Sequence, residues 1–357
     1  MKKTVPDFLR DFHCIASACQ DTCCAGWEIE VDSVSAEYYR SIPGAFGEEL
    51  RKRLETEEGE DFFRLTRQRR CPFLDEQNLC RIYQNLGEEA LCDICTEHPR
   101  FYNWLGADTE EGLGLCCEEV RRLLFTHPEP IRFETEELEA SGEEEDEDPF
   151  LPLLLKIREA GFSLLQDRSV SVAQRLIRLE VFLMEMQDLL DQGQELTEVQ
   201  IQKAFAICRQ QTYQKDPLSE DELTDILDVC LKLEYLGTEL PDALRRIRER
   251  LPELQMSGNA LLERRSEQEY EWEHLSVYYL YRYLVEALYD WDLALRLQFL
   301  LLHIRLLTML IAEANAGDSA DWLPRAQLVG LYSKEIEYCP ENVETLYEAI
   351  QEGRILL

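Results

Sequence analysis

The sequence predicts a mainly α protein: a cysteine-rich, metal-binding N-terminal domain with few short strands, followed by an α-helical C-terminal domain. Three observations carry this. Ten of the thirteen cysteines fall between residues 14 and 117. From residue 150 onward, apolar residues recur at three- and four-residue spacing with few strand signals. Between the two regions, residues 134–148 (ETEELEASGEEEDED) hold ten carboxylates in fifteen residues, and like charges at that density keep a segment extended. The expected division is a cysteine-rich domain over 1–133, an acidic linker over 134–149 and a helical domain over 150–357.

The first thirty residues read as a loop-rich entry carrying Cys14, Cys19, Cys23 and Cys24. The alternation of residues 28–32 predicts a short strand, and Asp32 or Ser33 is placed to cap a helix through Arg40. A second helix is expected over 47–57, and an extended piece over 62–66 leads to Cys71. Pro72 imposes a turn or extended geometry there, and 75–78 reads as a turn that returns the chain to Cys80. Gly87–Leu91 opens a helix carrying Cys92 and Cys95, which Pro99 ends. Cys116 and Cys117 precede another helix to Thr126.

Beyond the acidic run, helices are predicted over 150–166, 170–192, 197–211, 219–236, 240–251, 260–289, 291–315, 325–334 and 341–352. Leu176, Leu179, Leu183, Met186 and Leu190 form one apolar stripe. Ser169 and Thr197 suit N-caps, and Pro241 and Pro324 lie near helix starts. The stretch from Glu269 to Leu284 is unusually aromatic. Such a stripe forms core more often than a pocket wall, although aromatic rings with carboxylates would suit a lysine amine or a sulfonium.

The charge balance, 37 basic against 72 acidic residues for a net −35, repels phosphate backbones and anionic membranes. Nucleic acid and membrane are therefore not expected partners, and no secretory signal pattern opens the chain, so the expected location is cytoplasmic. In a reducing compartment clustered cysteines favour metal or redox chemistry over disulfides. Cys92 and Cys95 form a C-x-x-C pair, with Cys71-x8-Cys80 upstream and Cys116-Cys117 downstream. Soft thiolates bind zinc or iron, and four complete one tetrahedral site. Ten thiols (Cys14, Cys19, Cys23, Cys24, Cys71, Cys80, Cys92, Cys95, Cys116 and Cys117) exceed one site. Either two sites exist or some thiols are packing or redox groups. Adjacent residues of an extended chain point opposite ways, so Cys23 and Cys24 are not expected to share one ion.

His98 suits a hydrogen-bonding role beside the site. Arg81 and Arg100, with Tyr83 close by, are candidates to bind a cofactor or substrate carboxylate, or to balance thiolate charge. Cys208, Cys230 and Cys339 read as packing residues. No phosphate-cradling loop, dinucleotide fingerprint, H-E-x-x-H or nucleophile elbow is present. Residues alone leave a zinc-stapled fold and a working cluster equally open, and the second function considered is a non-catalytic iron–sulfur or zinc protein in metal handling or electron transfer.

The order FHCIASACQDTCCAGWEIEVD, CPFLDEQNLCRIYQNLGEEALCDICTEHPRF and GLGLCCEEVRRLL resembles the flagellin lysine-N-methylase (FliB-type) family, densely over residues 12–125. The middle block is also similar to small zinc- or iron-chelating cysteine-cluster proteins. The resemblance implies an enzyme moving a methyl group from S-adenosylmethionine to lysine side chains of flagellin, the expected partner. It also implies a [4Fe–4S] cluster, with zinc as the alternative, held by four of Cys14, Cys19, Cys23, Cys24, Cys71, Cys80, Cys92 and Cys95. One departure is Leu115-Cys116-Cys117-Glu118, where the family pattern carries Ser-Cys-Pro. The chain also lacks the C-x3-C-x2-C triplet of radical enzymes that use this donor.

Overall fold

The structure is a computed structural model and describes residues 1–138, 148–194 and 196–357. In chain order the strands are β1 (Lys2–Pro6), β2 (Ile29–Val31), β3 (Leu54–Glu57), β4 (Glu60–Phe63), β5 (Arg100–Leu105), β6 (Asp108–Leu113) and β7 (Phe133–Glu137). The first five helices are α1 (Ser33–Ser41), α2 (Gly44–Arg53), α3 (Arg81–Leu86), α4 (Asp93–Glu97) and α5 (Glu118–Thr126). Then follow α6 (Leu151–Leu165), α7 (Val172–Asp191), α8 (Glu198–Gln210), α9 (Glu220–Cys230), α10 (Glu239–Glu249) and α11 (Leu251–Glu263). The chain closes with α12 (Glu269–Tyr283), α13 (Ala287–Asp290), α14 (Leu293–Glu313), α15 (Leu323–Ile336) and α16 (Pro340–Gln351). The mainly α class with a few short strands is as the sequence predicts.

Contacts divide the chain into two units: one of Met1–Arg10, Tyr102–Gly112 and Arg122–Leu357, the other of Asp11–Phe101 and Leu113–Arg121. The second unit contains a three-stranded antiparallel sheet, β2–β4–β3. Its core gathers Ile29, Val31, Tyr39, Leu50, Phe63 and Phe73 around Cys71 and Cys92. Asp32 caps α1, its carboxylate accepting from the Ser35 amide at 2.8 Å, as its place before the helix predicts. The helix predicted over 47–57 ends at Arg53. Glu58 and Gly59, both at positive φ, turn the chain so that Leu54–Glu57 pairs with β4.

The other unit is built on α14, against which α7, α10, α11, α12, α15 and α16 pack. This helix is long and apolar enough to cross a membrane by length and composition, but 78% of its most apolar window is buried inside the protein, as in a core helix. The Leu176 to Met186 stripe of α7 is buried as predicted. Thr197 forms a capping box with Gln200, whereas α7 is capped by Ser171 rather than Ser169. The single helix expected over 260–289 is broken. α11 ends at Glu263, where Arg264 is extended, and α12 ends in a 3-10 turn before α13. The helix expected over 219–236 stops at Cys230.

A sheet of order β5–β6–β1–β7 was not foreseen. β1 runs parallel to β6 and antiparallel to β7, with Thr4 opposite Thr135. Residues 134–137 of the acidic stretch are thus paired strand, and residues 139–147 of the expected linker lie outside the described residues. Glu110 of β6 is gripped by Arg158 of α6, which donates to it from both terminal nitrogens, one at 2.7 Å.

α12 is core. Tyr278, Tyr279, Tyr281 and Tyr283 are all buried, so the reading of this stripe as core holds over that of a pocket wall. The Tyr278 and Tyr283 hydroxyls donate to Glu337 at 2.8 and 3.1 Å, and Arg282 donates to the same carboxylate at 3.2 Å. Beside them His303 is fully buried among Tyr279, Phe299 and Tyr332, with Nδ1 2.6 Å from the Tyr332 hydroxyl and Nε2 without a partner.

Burial keeps the His303 imidazole neutral, pulling its pKa down to about 3. In the unfolded chain it titrates near ~6.5. As pH falls the unfolded chain takes the proton first, so stability is lost from about pH 6.5 downward, until the native state is also protonated. By pH 5 this one group is expected to remove about 2 kcal/mol. Denaturant melts at pH 7.5 and 5 should show that extra loss in the wild type and not in a His303→Phe/Tyr332→Phe double variant. Equal losses in both would refute it.

Candidate metal centre

The site is built from three loops and one short helix of the cysteine-rich unit. Residues 20–27 form turns and bends rather than the straight strand in which neighbouring side chains alternate, and the Cys23 and Cys24 thiols hydrogen-bond to each other. The Cys71 amide donates to the Cys24 carbonyl at 2.8 Å, and bridges pair Ala25 with Arg70 and Leu74 with Cys80. The Asp75 carboxylate accepts from the Gln77 and Leu79 amides at 2.9 and 2.8 Å, closing the predicted turn between Cys71 and Cys80. Asp32 also accepts from the Asp93 amide at 3.1 Å, which fixes the start of α4. Cys92 caps that helix, and its Sγ lies 3.5 Å from that of Cys95.

Cys71 and Cys92 are buried in the unit's core, and Cys24 and Cys80 pack against it. Each of these four interacts electrostatically with others of the group, and Cys95 with Cys24, Cys71 and Cys92. Sulfurs from positions 24 to 95 therefore gather in one place. Cys14, Cys19, Cys23 and Cys117 form a second neighbourhood, in which Cys117 interacts with the other three and which adjoins the first through the Cys23–Cys24 hydrogen bond. Arg121 ties its two chain segments together. Its buried guanidinium donates to the Leu115 and Cys116 carbonyls at 2.9 and 2.8 Å and to Asp21 at 2.8 Å. Glu118 completes the link, accepting from the Gln20 and Asp21 amides at 2.8 and 2.9 Å. The buried Cys116 thiol lies 3.8 Å from His98 Nε2, whose ring lies 5.6 Å from that of Trp27.

The protonation pattern suits soft-metal chemistry. A hydrogen bond from the Cys23 thiol lowers Cys24 to about 7, while Cys23 is raised by the same bond and by burial. Cys92 is likewise lowered by the bond from Cys95, and Cys95 is raised. Burial pushes Cys71 and Cys19 up to about 12 and raises Cys80 and Cys117. In each close pair the hydrogen bond favours the thiolate of one sulfur over that of the other. Among the described residues no three His, Cys, Asp or Glu side chains are closed round a common metal-sized point. The 3.5 Å sulfur pair and the all-thiol donor set fit zinc or an iron–sulfur cluster.

The candidate cofactor residues lie near this unit's surface. Arg81 donates to Glu49 through two bonds of 2.6 and 2.8 Å, so its guanidinium is already engaged by a carboxylate. Tyr83 is 51% exposed. Arg100 lies over the Phe12 ring at 5.7 Å.

Sequence reasoning missed a cavity of about 210 Å³ in the helical unit, lined by Leu176, Ile177, Glu180, Lys215, Glu263 and Arg305 among others. Arg305 donates to the Asn259 side chain, and burial lowers its pKa. An arginine in a leucine-rich helix was the available signal. The cavity sets cationic and anionic groups against apolar walls, the chemistry of an amino-acid head group.

The family model described as FliB lysine N-methylase C-terminal domain matches residues 158–356. Flagellar biosynthetic protein FliU of Salmonella muenchen is 32% identical over 136 residues, covering 36% of this chain and 79% of that protein. Two proteins named Lysine-N-methylase, from Salmonella choleraesuis and Salmonella typhimurium, are each 31% identical over 136 residues, covering 36% of this chain. The match covers only 33% of their length. No solved structure matches. With that family model matching residues 158–356, more than half of its length, the chain belongs to the FliB lysine N-methylase family.

Proposed function

We propose that the chain is a protein-lysine N-methyltransferase that moves the methyl group of S-adenosylmethionine to lysine side chains of flagellin. Membership of the lysine N-methylase family is the observation that carries this reading. Transfer breaks the methyl carbon–sulfonium bond as the amine nitrogen forms its bond to the same carbon. The sulfonium becomes a thioether, and the lysine must first give up its proton, for which a carboxylate or a desolvating wall suffices.

In this reading a [4Fe–4S] cluster, or zinc, would be held by four of Cys24, Cys71, Cys80, Cys92 and Cys95. When bound, it supplies a rigid staple and a Lewis-acidic centre. The cavity beside Arg305 suits the methionine end of the donor, with the carboxylate on the guanidinium and the ammonium facing Glu263, since Glu180 already accepts from Lys215 at 2.6 and 2.8 Å. A cytoplasmic setting keeps the thiols reduced.

Anaerobically prepared protein is expected to transfer label from methyl-labelled donor to flagellin. Titration calorimetry should show donor binding weakened at least about tenfold in Arg305→Leu. A metal-loaded protein that binds no donor and labels no lysine-bearing protein would instead mark a non-catalytic metalloprotein.

A further inference from the structure

Four of the large aromatic side chains exposed on the helical unit lie on two short segments of it. Tyr102 and Trp104 of β5 are 37% and 65% exposed, and Tyr289 and Trp291 at the end of α13 are 74% and 49% exposed. The segments meet: the Tyr289 hydroxyl donates to the Trp104 carbonyl at 3.3 Å, and the Tyr102 and Trp104 rings are 6.1 Å apart. Residues two apart on a strand share a face. The alternate residues turn inward, Asn103 donating to Glu110 and to the Tyr281 carbonyl and Leu105 packing with Leu151 and Val285.

Trp291 is held with unusual firmness for a surface ring. Its φ is +61°, a left-handed backbone that a bulky residue seldom adopts. It is fixed by its amide donating to the Ala287 carbonyl at 2.8 Å and by its ring stacked 4.8 Å from that of Phe150. Backbone conformations of this kind persist where the surroundings enforce them, and they concentrate at binding sites.

The chemistry of the patch names its occupant. The sequence Tyr289-Asp290-Trp291-Asp292 interleaves rings with carboxylates; Asp290 is exposed while also accepting from Arg296 at 2.8 Å, and Asp292 caps α14. Aromatic faces flanked by carboxylates attract an ammonium ion. β5 is the outer strand of its sheet, the position at which an extended polypeptide can run alongside. At the other edge β7 exposes Glu134, Glu136 and Glu137, and the whole chain carries a net −35. A basic segment is drawn to such a surface and an acidic one repelled.

We infer that Tyr102, Trp104, Tyr289 and Trp291 form the docking surface for an extended, lysine-bearing segment of the protein substrate. This rests on the methylase reading for the identity of that substrate. The test is binding in the absence of methyl donor, with dye-labelled flagellin monomer as the probe and the full chain as wild type and as a Trp104→Ala/Tyr289→Ala double variant. Both side chains are mostly exposed, so the variant should fold, which its melting curve checks.

The variant is expected to bind about tenfold more weakly, and lysine-acetylated flagellin should lose a comparable factor against the wild type. Equal binding by variant and wild type overturns the proposal, as does a wild type that binds no flagellin. So does a patch whose mutation changes only self-association in sedimentation. Methyl transfer scored separately keeps the two readings apart. A wild type that docks flagellin through the patch yet transfers nothing sinks the methylase reading alone, and one that transfers while the patch variant binds unchanged sinks the surface alone.

Discussion

Glu271→Ala should lower the unfolding free energy by about 3–5 kcal/mol. Glu271 of α12 and Arg325 of α15 are both 3% exposed and meet through two hydrogen bonds of 2.6 Å. Arg325 also donates to the Ser319 carbonyl at 2.7 Å and the Asp321 carbonyl at 3.1 Å. Burial opposes the charged form of Glu271, raising its pKa, so the pair is held against a desolvation penalty. Removing the carboxylate leaves a guanidinium enclosed with only carbonyl partners. A Glu271→Leu/Arg325→Met double variant removes both charges and should recover most of the loss. Urea melts decide the matter. A loss under about 1 kcal/mol for the alanine variant would mean that water or relaxation reaches Arg325.

Cys71→Ser and Cys92→Ser are each expected to weaken metal retention by on the order of 100-fold or more. Both thiols are buried where the sulfurs of Cys24, Cys71, Cys80, Cys92 and Cys95 converge, and hydroxyl is a poor ligand for a soft metal. Cys339→Ser, at a cysteine whose thiol donates to Glu341 at 3.4 Å, serves as the control and should retain metal. Iron, zinc and sulfide analysis of anaerobic preparations reads the result directly. The same metal content in all three variants would remove the thiol group as a metal centre. On the methylase reading proposed above, transfer to flagellin should fall with the metal if the centre serves the reaction, and persist if it is only a staple.

The helical part was legible because its residues obey one period. The α7 stripe, the Thr197 cap and α14 follow from spacing alone. What spacing could not show was where a helix stops for geometric reasons. Glu58-Gly59 turns the chain into a hairpin, and the break at 264–268 interrupts a run whose composition stays helical. The four-stranded sheet was hidden for another reason. β1 is five residues long and its partners lie more than a hundred residues away, so no local pattern announces it. Cysteine clustering pointed to a gathering of thiols. It did not show that the sulfurs fall into two neighbourhoods, since that follows from turns around Cys23 and Cys24 and from the Arg121 bridge.

β1 pairs with β6 and β7, which follow it by more than a hundred residues in the chain. During synthesis that segment has nothing to bond until more than a hundred further residues have left the ribosome. The stretch between can meanwhile collapse around its thiols, before the sheet exists. If those thiols hold iron or zinc as proposed, supply of the ion acts on a nascent polypeptide, and its scarcity surfaces as a failure of biogenesis in a protein whose leucine-rich part is intact.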